Sequence, residues 1–351
     1  MKQYITHMNK CIELAQLAQG DTSPNPLVGC VIINNNGEIV STGYHKKYGE
    51  NHAERDALLK LENAKDCTLI VNLEPCSHHG KTPPCTDIII EKGIKKVVYG
   101  MKDPNPIVAG KGLQKLKDAG IEIIGPVLED ECKKLNEIFI KNHTEKKTFI
   151  ALKTATTIDG KIATYNGDSK WITSEKARAE VRNIRKKYDA ILTSSTTVIA
   201  DNPTMEHKKK IILDRELKTD FNSKIYEQGE IYVFYDELRN SEILNQVQNN
   251  RIFFIPTPVK NEKLDIKYII NNSLYELKIM SVLVEAGGEV NASFMPYIDK
   301  LYHFIAPKIL GDSSGRSCFN GPSVEKIADC TNLKLESTQI FEPDILITYT
   351  K

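Results

Sequence analysis

The chain has 351 residues, 40% of them hydrophobic and 26% charged, with a formal net charge of +1. That length suggests two domains, or at most three, and the composition excludes an intrinsically disordered chain. Near-neutral charge argues against a polyanion as the main partner, and no apolar run reaches the roughly 18 residues of a membrane span.

Met8, Cys11, Ile12, Ala15 and Ala18 recur at helical spacing, so a helix is predicted over 5–19. Gly20, Asp21, Ser23, Pro24 and Pro26 end it in a loop. The apolar run 28–33 is bounded by Asn34, Asn35, Asn36 and Gly37, a strand and a turn, with a partner strand at 39–43. A helix over 52–61, strand 68–73, helix 86–92, strand 96–99, helix 110–119 and strand 121–124 follow. Such repeated units predict a largely parallel sheet with helices on both faces. One further helix is predicted over 129–142.

The polar stretch 143–147 marks a boundary, giving two α/β domains, 1–145 and 146–351. In the second, strands are predicted at 149–155, 189–193, 210–213, 231–235, 252–255, 281–285, 301–305 and 345–350, and helices at 174–187, 237–247 and 289–297. No short-period repeat or long low-complexity tract interrupts them. The first 20 residues lack an apolar signal-peptide core, so a cytoplasmic chain is expected.

Eight cysteines in such a chain predict buried thiols rather than a disulfide framework. Cys76 and Cys85 stand apart, because both lie in polar, proline-rich sequence. Residues 52–54 read His-Ala-Glu and residues 75–76 Pro-Cys, with Cys85 after eight intervening residues. One imidazole and two thiolates make a zinc set whose fourth position stays open for water, the mark of a catalytic site. Zinc lowers the pKa of water there to about 7. A leaving amine must depart protonated, and Glu54 lies two residues from His52, near the metal without ligating it. A His-x-Glu alone is common by chance, and a lone cysteine pair is more often packing. In order and together they are a specific signal, although the zinc-deaminase pattern places its second cysteine closer. A ligand from His78 or His79 would close the open position, so surface or substrate-facing roles are expected for both.

Residues 74–85 read Glu-Pro-Cys-Ser-His-His-Gly-Lys-Thr-Pro-Pro-Cys. This resembles the deaminase domain of the bifunctional riboflavin-biosynthesis deaminase–reductases, whose long loop between the cysteines separates them from cytidine-type deaminases. Pro24-Asn25-Pro26-Leu27-Val28-Gly29 and Asp103-Pro104-Asn105-Pro106 are similar to that family too, and the resemblance runs from about residue 4 to residue 140. It implies a cytidine-deaminase-like three-layer α/β/α fold, zinc on His52, Cys76 and Cys85, and Glu54 as the proton donor. The implied substrate is 2,5-diamino-6-ribosylamino-4(3H)-pyrimidinone 5′-phosphate, whose ring amino group leaves as ammonia. Asn25 is then the pyrimidine contact, and His45, His78, Lys81 and Thr82 are candidates for the ribose-phosphate.

The second half lacks a Gly-x-Gly-x-x-Gly, so a standard Rossmann site is unsupported. Val282-Leu283-Val284-Glu285-Ala286-Gly287-Gly288 is instead a strand and a glycine turn that lets backbone N–H groups approach a pyrophosphate. Residues 152–163, 168–174 and 189–203 resemble the reductase domain of the same family, which is dihydrofolate-reductase-like. The match weakens over 205–280 and returns at 281–311. It implies NADPH at Ala155, Trp171, Thr197, Asp201 and the turn Gly287, Gly288, Glu289, Val290, Asn291, Ala292 and Ser293. It implies substrate contacts at Ser169, Arg185 and Glu285, and in the segment carrying Met205 and Lys208. Lys153 and Asp201 are candidates for assisting ring opening and proton transfer while hydride passes to C1′ of the ribosylamino group.

One departure stands out. After Asp-Asn-Pro the family shows a Leu and, three residues on, an Arg; here the segment is Thr204-Met205-Glu206-His207-Lys208. Lys208 supplies charge but no bidentate fork. The run Lys208 to Lys210 reads as a phosphate site or a solvated face, the latter being expected. Trp171 reads as core or as a site edge, and its polar neighbours favour the edge.

Two other readings stay open. One is a deaminase fused to an inactive reductase-like domain, supported by residues 204–208. The other is a nucleic-acid base deaminase, which shares the zinc chemistry but needs a basic groove. Balanced charge and the long loop between the cysteines favour a small phosphoribosyl-pyrimidine, with no nucleic-acid or membrane partner. The resemblance also implies a homodimer or larger homo-oligomer.

Overall fold

The computed structural model describes residues 2–80, 82–105, 108–238 and 249–351. It divides into two compact units, Met1–Lys146 and Lys147–Lys351.

The first unit holds a five-stranded sheet of β1 (Gly29–Ile33), β2 (Ile39–Tyr44), β3 (Thr68–Leu73), β4 (Lys96–Met101) and β5 (Glu122–Ile124), in the order β2-β1-β3-β4-β5. Only β3, β4 and β5 are mutually parallel neighbours; β1 runs antiparallel to both β2 and β3. The sheet is therefore mixed, not largely parallel. The turn after Ile33 is short enough to fold β2 back as a hairpin, and the crossover to β3 then returns beside β1. β1 is buried along its whole length, as are most of β3 and β4, which explains their unbroken apolar runs.

The helices are α1 (Ile5–Gln16), α2 (Ala53–Leu58), α3 (Cys85–Glu91), α4 (Lys111–Asp118), α5 (Glu129–Leu135) and α6 (Glu137–Glu145). The single helix predicted over 129–142 is thus two. Asn136 breaks it, at φ −108° and ψ 23°. Its side chain is committed elsewhere, accepting from Leu27 N at 2.8 Å and donating to Leu27 O at 3.0 Å. α2 is drawn tightly onto β2 at Gly43, where a Cβ would stand 2.4 Å from Ala53 O and 2.5 Å from Ala57 N. That contact fixes the start of α2, where His52 and Glu54 sit.

The second unit has strands β6 (Phe149–Thr156), β7 (Lys161–Ala163), β8 (Ala190–Ser194), β9 (Lys209–Leu213), β10 (Glu230–Asp236), β11 (Ile252–Thr257), β12 (Val259–Lys260), β13 (Lys263–Leu264), β14 (Ser281–Val284), β15 (Lys300–Ile305), β16 (Arg316–Ser317), β17 (Lys334–Phe341) and β18 (Asp344–Thr350). Nine form one sheet in the order β11-β10-β9-β8-β14-β6-β15-β18-β17, parallel from β11 to β15 and antiparallel at β18 and β17. α7 (Glu175–Arg185) starts at Ser174, whose Oγ accepts from Ala177 N at 3.3 Å. α8 (Ser195–Asp201) follows β8, and a helix over Gly288–Phe294 follows β14. The last ends three residues before the predicted 289–297, where a 3₁₀ turn at Met295–Tyr297 takes over. The helix predicted over 237–247 lies largely outside the described residues; Glu237 and Leu238 form a turn.

Strand geometry accounts for two departures from the sequence reading. The lysine run is not a solvated face throughout. β9 begins at Lys209, and Lys210 is turned inward, 2% exposed. β17 is an unforeseen edge strand, open to solvent on both faces, so it carries no period-two apolar signal.

Candidate functional site

In the first unit, His52 caps α2 in extended conformation, and its carbonyl accepts the helix's early N–H from Asp56 at 2.8 Å. Glu54, in the first turn, is 3% exposed. Cys76 lies in the turn after β3, and Cys85 opens α3 directly after Pro84. Cys85 N donates to Cys76 Sγ at 3.4 Å, and Thr86 N to Cys76 O at 3.2 Å, so the start of α3 locks the two sulfurs together.

The three donor atoms lie within 4.8 Å of one another. His52 Nδ1 is 3.5 Å from Cys76 Sγ and 3.4 Å from Cys85 Sγ. A tetrahedral zinc with bonds of ~2.3 Å to sulfur and ~2.0–2.1 Å to nitrogen needs N···S separations of about 3.5 Å. The residues present therefore fit the ion. His52 Nε2 faces Thr82 Oγ1 at 3.4 Å, an outer partner that orients the ring. Hydrogen bonding from Cys85 and His52 holds the Cys76 thiol down at about 4 despite burial, while Cys85 is pushed up, as one proton shared by two sulfurs requires. Burial, reinforced by the Cys76 charge, pushes the Glu54 carboxyl up to about 7.

A cavity of about 190 Å³ opens over these groups, lined also by Asn25, His45, His78, Asp103 and His143. His45 is buried and spends both nitrogens, Nδ1 on Asn51 O at 3.0 Å and Nε2 on Asn25 Nδ2 at 3.1 Å. Burial lowers its pKa, so it offers the cavity no cation for a phosphate. Because Nδ1–H must donate to the carbonyl, Nε2 accepts from Asn25, which fixes the amide's orientation at the cavity wall. Lys81 and Pro106 lie outside the described residues.

Glu74 escaped the sequence reading, although it heads the quoted motif. Buried, it accepts from the N–H groups of Asp103 (3.3 Å), Gly110 (2.9 Å), Gly112 (3.0 Å) and Leu113 (3.3 Å). One carboxylate thereby fastens the backbone at Asp103 and the start of α4 behind the Pro75–Cys76 turn. Gly112 packs so close that a Cβ would lie 1.9 Å from Pro75 O.

In the second unit, Glu285 follows β14 and is 8% exposed. Arg185, ending α7, grips it bidentately at 2.6 and 3.1 Å, and Lys153 Nζ on β6 lies at 3.5 Å. Burial alone would raise the Glu285 pKa; the Arg185 and Lys153 charges outweigh it and hold the carboxylate low. Burial lowers Lys153 even with Glu285 beside it.

Trp171 is 63% exposed and so is no core residue, with the Arg178 guanidinium 4.3 Å from its ring centroid. With Ser169 it borders a cavity of about 350 Å³. Asp201 ends α8 and lies 4.0 Å from Lys170 Nζ. A second cavity, of about 260 Å³, is lined by Ser194, Ser195, Thr196, Arg215, Lys218, Glu289, Val290 and Ser293, among others. It sits beyond the carboxyl ends of β8 and β9, where open α/β sheets bind ligands. Thr197 donates its N–H to Ser194 Oγ at 3.4 Å, beside that cavity.

Not every expected residue reaches these cavities. Asn291 is buried and turns away, donating to Cys318 O at 2.9 Å. Met205 packs in an apolar cluster with Ile212, Leu217 and Ile225, so only its backbone is available to a ligand. Lys208 is exposed, and Ala155 is half-buried on β6. Arg215 and Lys218 went unrecognised because they follow β9, where the sequence resemblance had faded.

A family model for the cytidine and deoxycytidylate deaminase zinc-binding region matches residues 1–101, and one for the RibD C-terminal domain matches residues 148–347. The riboflavin biosynthesis protein RibD of Actinobacillus pleuropneumoniae is 39% identical over 360 residues, covering 98% of this chain and 94% of the relative. That of Escherichia coli K12 is 36% identical over 365 residues, covering 97% of each. Among solved structures, a diaminohydroxyphosphoribosylaminopyrimidine deaminase/5-amino-6-(5-phosphoribosylamino)uracil reductase from Thermotoga maritima is similar with a TM-score of 0.88 and 38% identity, covering 99% of both chains. Both halves of the chain thus match along nearly their full length, and the chain belongs to the RibD family of bifunctional deaminase–reductases of riboflavin biosynthesis.

Proposed function

We propose that the first unit deaminates 2,5-diamino-6-ribosylamino-4(3H)-pyrimidinone 5′-phosphate and that the second reduces the resulting 5-amino-6-(5-phosphoribosylamino)uracil to its ribityl form. The observation that carries the first half is the match between the His52, Cys76 and Cys85 separations and a tetrahedral zinc, with Glu54 buried beside them. Zinc, when bound, brings the pKa of water near 7 and so makes hydroxide available at neutral pH. Glu54 takes up the proton and delivers it to the departing amine. Asn25 Oδ1, held by His45, accepts from the pyrimidine. Water enters and ammonia leaves, so the step needs no other reactant.

NADPH, when bound, supplies the hydride for the second half. Lys153 is the proton source at the opening ribose ring, and Arg185 meets the substrate from the rim of the same cluster, both oriented by Glu285. Ser169 and the backbone at Met205 complete the substrate side, and Trp171, Thr197, Asp201 and the 287–293 turn the cofactor side. Arg215 and Lys218 supply the cations a 2′-phosphate requires, with Ser194 and Ser195 as hydroxyl donors. Replacing both cations by Ala is expected to raise the KM for NADPH about 10–100-fold and leave NADH use unchanged. Equal losses with the two cofactors would remove the assignment.

The open edge of β17, with Leu335 and Ile340 exposed, supports a homo-oligomer, since such an edge is a template for a second copy. A sedimentation mass of a single chain at micromolar concentration would exclude it. Among the described residues no helix is long and apolar enough to cross a membrane. The cytoplasm is the proposed compartment, with free thiols at all eight cysteines in keeping with it; recovery in a membrane or secreted fraction would contradict it. Balanced charge favours the free nucleotide over RNA. The test is ammonia release from the diaminopyrimidine nucleotide. We expect it to stop on chelation and return with Zn²⁺; deamination of RNA but not of this nucleotide would overturn the reading.

A further inference from the structure

The reductase unit contains a buried ammonium that the scheme above leaves idle. Lys210 lies in β9 with its Nζ donating to the carbonyls of Ile225 and Thr204, the latter at 3.4 Å. Among the described residues no carboxylate is within ion-pair distance of it. Burial first, then the Arg251 charge, bring its pKa down to about 8 against a weaker pull from Glu227. An apolar side chain of the same length would fill this place without the desolvation cost. What the ammonium adds is its hold on two carbonyls.

Those carbonyls belong to two segments that meet at the site. Ile225 lies in a 3₁₀ turn, Lys224–Tyr226. Thr204 lies in the stretch 201–206, where Asn202 and Met205 both adopt φ of 40°, costly for residues other than glycine. A second tie joins the same pair, Lys224 N donating to Asn202 Oδ1 at 2.9 Å. On its other side the stretch runs into His207, whose Nε2 is hydrogen-bonded to the Tyr188 carbonyl at 3.0 Å, three residues past Arg185 at the end of α7, and the Glu206 charge acts on Arg185.

We infer that Lys210 is a positioning residue: from inside the sheet it pins the Thr204–Glu206 backbone beside the Arg185–Glu285–Lys153 cluster, and so sets the affinity for the phosphoribosyl substrate of the reduction. The inference rests on that cluster being the reductase substrate site, as proposed above.

The test uses the full chain, the deaminated intermediate and NADPH. Lys210→Met should raise the KM for the pyrimidine about tenfold. The KM for NADPH, the kcat and ammonia release should stay within about twofold, and Lys210→Arg should restore most of the affinity. An unchanged pyrimidine KM overturns the inference. So does a matched loss in kcat and both KM values that Lys210→Arg does not rescue, which is the behaviour of a merely structural residue. Should Lys210→Met fail to fold, Lys210→Gln keeps a polar side chain there but is one atom shorter, too short to hold both carbonyls. A rise in pyrimidine KM alone then supports the inference, and no rise overturns it. If the unaltered enzyme oxidises no NADPH with the intermediate, the reductase reading itself fails, which is a different result from any of these.

Discussion

Glu54→Gln is expected to slow ammonia release by about 10²–10⁴-fold while zinc remains bound at one ion per chain. Gln matches Glu in volume, so the buried first turn of α2 keeps its packing on β2. The ligand atoms of His52, Cys76 and Cys85 are untouched, and their mutual separations do not depend on Glu54. What disappears is the group proposed to carry a proton between water and the departing amine. NADPH oxidation with the deaminated intermediate should be unchanged, because the reductase residues belong to the other compact unit. Zinc analysis, ammonia release and cofactor absorbance read the three outcomes separately. Loss of zinc or unfolding would make Glu54 a structural residue, and an unchanged rate would remove it from the mechanism.

The second large effect is expected at Glu285. It is the carboxylate that balances two largely buried cations, Lys153 and Arg185. Glu285→Gln leaves both facing a neutral amide, at a cost of about 3–5 kcal/mol, since breaking a buried pair strands its partners. For a unit of this size that corresponds to a drop in melting temperature of roughly 10 °C, together with loss of NADPH oxidation. The pH dependence has a definite sign. In the unaltered protein the Glu285 pKa is depressed, so its stabilisation is present above the ordinary carboxylate range and is lost as pH falls through the folded value. In the variant the stranded Lys153, already depressed by burial, dominates. A lysine with a lowered folded pKa destabilises most where it is protonated in both states. The deficit relative to the parent should therefore be largest near neutral pH and shrink as pH rises toward the unfolded lysine value. Thermal unfolding of both proteins across pH checks this; a deficit that grows with pH, or no deficit, would contradict it.

The cluster proposed to hold zinc was legible because its determinants are local. His52 and Glu54 share one helix start, Cys76 ends one strand–turn, and Cys85 opens the next helix. Short apolar runs such as Gly29–Ile33 and Thr68–Leu73 were legible for a similar reason, being buried on both faces. What escaped notice depends on partners distant in sequence. Asn136 reads as an ordinary helical residue until Leu27, more than a hundred positions earlier, claims its side chain. Glu74 is unremarkable until Asp103, Gly110 and the first turn of α4 bring four N–H groups onto it. Lys210 looks like part of a charged run until β9 points it inward. The Arg215–Lys218 cavity exists only because β8 and β9 are neighbours in the sheet. Strand direction was misjudged for β1, since an apolar run carries no sign of whether it pairs in parallel.

The central claim is that one chain performs two successive steps on one phosphoribosyl-pyrimidine scaffold. Its most direct test is a time course with the diaminopyrimidine nucleotide and NADPH, recording ammonia and cofactor oxidation together. The account predicts equal final amounts, with ammonia appearing first, and no cofactor oxidation in Glu54→Gln until the deaminated intermediate is supplied. Ammonia without cofactor oxidation, or oxidation that proceeds without deamination, would contradict it.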